Sequence, residues 1–172
     1  MERKKEYDDD EYGINKGSAH PRAVELISEE FFWDCTDEAA PFGSDEGDMA
    51  LAEYRDWKRN YPDQKLIECL KWVIESVGEI DFKKYNYKFL NKKKIAAQIE
   101  EEDFDDQQFI YTLDLSVIAT GFGQLVDEGT IDSEAIPIIE LALDRQLIWS
   151  ELVEWEAYHA NLQILKVKLS KL

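Results

Sequence analysis

The stretch from Gln107 to Val126, QQFIYTLDLSVIATGFGQLV, constrains the fold more than any other. It carries one formal charge, Asp114, in a chain whose residues are 34% charged. At about 100° per residue, Phe109, Leu113, Val117, Thr120 and Gln124 fall on one helical face, and Tyr111, Leu115, Ile118 and Phe122 fall nearly opposite. A helix apolar around most of its circumference must be covered on several sides. Gly121 and Gly123 weaken helix propensity, and their use is close approach of neighbouring helices. The stretch therefore predicts the central helix, at about 107–126, of an all-α domain of about six or seven helices.

One domain suffices for 172 residues, and five Trp, eight Tyr and eight Phe supply a core. Residues 1–18 are polar and of mixed charge and are expected to form a flexible leader, with the helical domain spanning 19–172. The net charge of -18 argues against unaided binding to nucleic acid or to an anionic membrane. It favours a basic protein partner. Cys35 and Cys69 are too few for a disulfide scaffold and read as buried, reduced thiols. The N-terminus lacks the apolar segment of a Sec signal, and the uncharged run Leu115–Val126 is short for a membrane span. A cytoplasmic protein, monomeric when free, is expected.

Along the chain, Pro21 suits a first helical position, and Ser28-Glu29-Glu30 reads as a second helix start before Phe31, Phe32 and Trp33. Asp45 is placed to cap the next helix, whose stripe of Ala50, Tyr54, Trp57 and Tyr61 is expected to be buried. After Tyr61-Pro62, Asp63 is read as the cap of an amphipathic helix through Leu66, Leu70, Val73 and Val77, ending at Gly78. Trp72 points away from that stripe. From Lys83 to Lys94 the charge inverts, with six lysines and no acid. Asn91 starts a short helix there, running into the acids Glu100–Asp106, which favour the N-terminus of the central helix. Gly129 closes that helix, and Asp132 or Ser133 caps a pattern running through Ile138, Ala142, Trp149, Val153 and Ala160. The end, LQILKVKLSKL, fits helix or strand, and helix is chosen because no partner strand is visible.

Chemistry-bearing patterns are few. Glu156-x-x-His159 is half of a di-iron carboxylate pattern, and His20 supplies no second half. No zinc set, P-loop, dinucleotide fingerprint or nucleophile elbow occurs, and nothing local supports a Cys-His pair. No cofactor and no resident metal are expected. Six carboxylates lie within the fifteen residues Asp34–Asp48, at spacings that do not fit an EF-hand. They form a solvated acidic surface with capping roles, a Mg²⁺ or Ca²⁺ site, or a docking surface for a basic partner. In the docking reading Asp37, Glu38, Asp45 and Glu46 steer, and Trp33 or Phe42 anchors, with Trp72 as the alternative anchor.

His20-Pro21, SEEFFWDCTDEAAPFGSDEGD (Ser28–Asp48), Tyr54-Arg55-Asp56-Trp57 and LDLSVIATGFGQLVDEGTID (Leu113–Asp132) resemble the uncharacterised bacterial YfeS-like family across most of residues 20–148. PFGSDEG is the most distinctive piece. Some members of that family carry a WGR module, and no Trp-Gly-Arg occurs here, so no role of that module accompanies the resemblance. The resemblance implies a small bacterial cytosolic protein and no particular activity.

Two functions fit these observations. The first is a non-enzymatic acidic module, in its most specific form an immunity protein that neutralises a basic toxin such as a nuclease by direct binding. The alternative is a metal-dependent enzyme or regulator built on the Asp34–Asp48 carboxylates.

Overall fold

A computed structural model of the chain describes residues 13–101 and 109–172. Among these, seven α-helices and no strand are found: α1 (Pro21–Leu26), α2 (Asp45–Asn60), α3 (Leu66–Val77), α4 (Lys92–Glu101), α5 (Phe109–Glu128), α6 (Ile136–Leu152) and α7 (Glu156–Leu169). They form one all-α domain around α5, which packs against α1, α2, α3 and α6, while α4 and α7 pack on α6. The C-terminal stretch is helical. The expected helix start at Gln107 and most of the acidic run before it, from residue 102, lie outside the described residues.

From Ile110 to Val126, α5 is buried at every position but Thr112. By length and composition it is apolar enough to cross a membrane, but 89% of that window is buried inside the protein. Its two glycines open different sides. A Cβ on Gly121 would lie 2.3 Å from Ile139 Cδ1 of α6, and one on Gly123 would lie 3.2 Å from Leu51 Cδ1 of α2. Two residues on a helix are about 200° apart, so the pair admits close neighbours on nearly opposite faces.

The lone charge of that helix organises a buried network. Arg145 Nε donates to Asp114 Oδ2 at 2.8 Å and Arg145 Nη2 to Oδ1 at 2.9 Å. Tyr85 Oη donates to Oδ1 at 2.7 Å, and Gln146 Nε2 to Oδ2 at 2.9 Å. Tyr158 Oη then donates to Gln146 Oε1 at 2.7 Å, which ties α7 to the same centre. A second link lies at the far end of α5. Gln124 exchanges two hydrogen bonds with Asp132, whose Oδ2 also accepts the Leu66 N–H. Asp132 therefore caps α3 across the fold.

Several local expectations need correction. Gly13 and Ile14 are buried and the Gly13 carbonyl accepts from Arg55, so the part of the expected leader at 13–14 belongs to the domain; residues 1–12 lie outside the described part. Glu30–Trp33 forms only a 3₁₀ turn, because Phe32 turns inward at once against Phe42 and Phe122. Ser44, not Asp45, caps α2, through its Oγ and the Gly47 N–H. Asp63 does not cap α3, since Asp132 fills that role, and Ala135 precedes α6 without any side-chain cap. The pattern read through to Ala160 breaks at Val153–Trp155, where Glu154 takes φ 58° and the chain reverses into α7. No glycine or proline marks that turn. What stabilises it is tertiary: Trp155 packs on Tyr158 and Tyr111.

Candidate partner-binding groove

The acidic loop is built mainly by its own backbone. Asp34 Oδ1 accepts from the Thr36 N–H and Oγ1–H, and these bonds hold its carboxyl below the usual range. Asp37 Oδ1 accepts from the Ala39 N–H, while Asp45, Glu46 and Asp48 occupy the first turn of α2. Asp48 is held above the usual range by partial desolvation and by Asp45, against the pull of Arg55. The six carboxylates are spread along the loop and helix. Among the described residues no group of three or more His, Cys, Asp or Glu converges where it could hold a metal ion. Two of the proposed anchors are also engaged. Phe42 is 1% exposed and packs edge-on against Phe32, so its ring is a core element and not a surface anchor. Trp33 is partly buried, with its Nε1–H donated to the Ile27 carbonyl.

The third anchor is placed differently. Trp72 is 43% exposed and lies in a groove of about 500 Å³ between α2 and α3. Trp57, Tyr61 and Trp72 supply its rings, Glu53, Asp56 and Glu68 its charges; Asn60 and Gln64 complete the lining. Among the described residues no lysine or arginine lines it, although Arg59 bonds the Asp56 carboxylate at 3.3 Å. Tyr61, expected in the buried stripe, is 49% exposed, because α2 ends at Asn60 and releases it over Trp57 at 5.7 Å between ring centroids. The outer face of α2 joins groove to loop: Asp45, Met49, Ala52 and Asp56 follow i, i+4, i+7, i+11 spacing and all are exposed. This puts Asp45 and Asp56 on one line, roughly 16 Å apart along the axis. Asp37, Glu38 and Glu46 flank its N-terminal end in sequence. Glu53, Asp56 and Glu68 escaped the sequence reading because the crossing of α2 and α3 is what assembles them.

The two histidines serve local structure. His20 Nδ1 accepts from the Arg22 N–H and caps α1. His159 Nδ1 lies 2.8 Å from Ser150 Oγ, at the reversal between α6 and α7. Ser150 is 1% exposed and its Oγ donates to the Leu147 carbonyl, while the pair borders a pocket of about 310 Å³ with Glu151, Glu154, Trp155 and Glu156. Of the cysteines only Cys69 is buried; Cys35 is exposed, which corrects the reading of both as core thiols.

Compared with known proteins, the chain is 25% identical over 150 residues to the Uncharacterized protein YfeS of Escherichia coli K12. The aligned part covers 87% of this chain but only 59% of that protein's length. The match supports a YfeS-like family. No family model matches, and no solved structure matches. Within the chain the PFGSDEG stretch is a packing device. A Cβ on Gly43 would lie 1.9 Å from the Asp37 carbonyl oxygen, and one on Gly47 would lie 1.7 Å from that of Pro41. Both positions admit only glycine without backbone movement. The stretch folds the loop tightly onto the start of α2.

Proposed function

We propose that this chain is an acidic protein-binding module that engages a basic partner through the α2–α3 groove and the outer face of α2. Its most specific form is an immunity protein, neutralising a cationic toxin such as a nuclease by direct contact from the cytoplasm, and monomeric when free. The observation that carries the reading is Trp72, a large ring left open to solvent in a groove whose charged lining is acidic apart from the nearby Arg59. An aromatic face beside carboxylates suits a lysine or arginine side chain, which gains both cation–π attraction and charge pairing. Similarity to YfeS adds no activity of its own. Glu53, Asp56 and Glu68 join Asp37, Glu38, Asp45 and Glu46 as steering charges, and Tyr61 and Met49 join Trp72 as contacts.

The test is binding kinetics against the purified basic product of a neighbouring gene. Neutralising Glu53, Asp56 and Glu68 is expected to slow association and flatten its salt dependence, because exposed charges act over about 8–10 Å at physiological salt. Trp72→Ala should speed dissociation at least tenfold, as an interface anchor would. Unchanged kinetics in both variants would remove the groove from the interface.

A further inference from the structure

The lysine run at 83–94 has no role in the function above, yet the fold gathers it around a second and larger cleft of about 620 Å³. Lys83, Lys84, Lys88 and Lys94 rim this cleft. All four are exposed, and among the described residues none of their side chains makes an ion pair. Its walls are mainly apolar, with Ile80, Phe89, Ile95, Phe109 and Leu113 joined by the polar Asn86 and Gln98. The floor is rigid. Arg145 lies there, held by the buried Asp114, with its Cζ 4.5 Å from the centre of the Phe89 ring. Among the described residues one carboxylate lines the cleft, Asp81, and its Oδ1 accepts the Lys83 N–H.

Four ammonium groups around one apolar hollow are out of character for a chain of net charge -18. Like charges that share one cleft repel one another, and a bound dianion relieves that repulsion. Lysine is a point-charge donor suited to phosphate, and a concave site of this size with apolar walls suits a small molecule. We propose that this cleft binds a small amphipathic dianion of the phosphate-monoester class, its ring or alkyl body against Phe89, Ile95 and Leu113 and its phosphate among Lys83, Lys84, Lys88 and Lys94. The site is separate from the acidic groove, so either holds without the other.

The experiment is calorimetric titration of the full chain with 1-naphthyl phosphate, with 1-naphthol and inorganic phosphate as the two half-ligands. Saturable one-to-one binding is expected, at least tenfold tighter than either half-ligand. Changing Lys83, Lys84, Lys88 and Lys94 together to Gln should weaken it at least tenfold, while changing Lys92 and Lys93 to Gln should leave it unchanged. Melting curves establish that the variants fold, and Lys84→Gln and Lys88→Gln singly should each weaken binding several-fold if the quadruple variant does not. No saturable binding at millimolar ligand would overturn the proposal, as would equal affinity for inorganic phosphate or indifference to the lysines. It falls too if binding emerges only after Asp103, Asp105 and Asp106 are changed to Asn, since the lysines would then serve that neighbouring run of the chain.

Discussion

Asp114 is 0% exposed, and its carboxylate is surrounded by Arg145, Tyr85 and Gln146. Burying an ion pair costs desolvation that the pair itself only roughly offsets, but removing one partner leaves a bare charge inside. Arg145→Ala and Asp114→Ala are each expected to cost about 3–5 kcal/mol in urea unfolding, while Asp114→Leu with Arg145→Met should recover much of that loss. Additive losses in the double variant would show that the two side chains act independently. Burial also pushes the Cys69 thiol up to about 12 and raises Tyr85 and Tyr158 well above the usual tyrosine value. In each case the folded pKa exceeds the unfolded one. The stabilisation is therefore complete below the unfolded values, about 8.5 for Cys and 10 for Tyr, and is lost as pH rises beyond them. Stability should fall progressively above about pH 9. With a thiol reagent at neutral pH, Cys35 should react at once and Cys69 only on unfolding; rapid reaction of both would place Cys69 outside the core.

At the scale of elements, the loop before α2 and the faces of α5 depend on absent side chains of different kinds. A Cβ at Gly47 meets backbone, whereas one at Gly121 meets the tip of the Ile139 side chain. A side-chain tip gives way more readily than a carbonyl anchored by its own chain. Gly121→Ala is expected to cost about 1–3 kcal/mol and Gly47→Ala at least as much, both read from thermal or urea unfolding. Gly17 has only the Asn15 Oδ1 at 3.2 Å near a built Cβ and is the control, with a change within about 0.5 kcal/mol. Equal, small effects at all three would mean that PFGSDEG is not held by packing. Glycine content was legible in the sequence; which backbone each glycine faces was not, because those neighbours come from the loop's own return path and from other helices.

For the whole molecule, a net charge of -18 makes self-repulsion a standing cost. Raising NaCl from about 10 to 300 mM shortens the screening length from roughly 30 Å to below 10 Å, so the melting temperature should rise by several degrees. A fall would mean that attractive pairs such as Arg55–Asp127, at 2.9 Å, outweigh the repulsion. Asp45 and Glu46 work against the simple rule that fewer acids mean more stability, since both lie in the first turn of α2 and favour its dipole. The all-α class, the buried helix α5, the close approach at Gly121 and Gly123, and the core positions Trp57, Leu70, Val73, Leu113 and Val117 were all readable from the residues alone. Those follow from periodicity and propensity, which act between neighbours in the chain. The packing of the helices set the rest: Asp132 caps α3, Arg145 and Gln146 enclose Asp114, Phe42 lies inside while Trp72 lies outside, and opposite charges gather at two separate clefts. Each depends on how helices cross, and side chains distant in sequence carry no local signal of where they will meet.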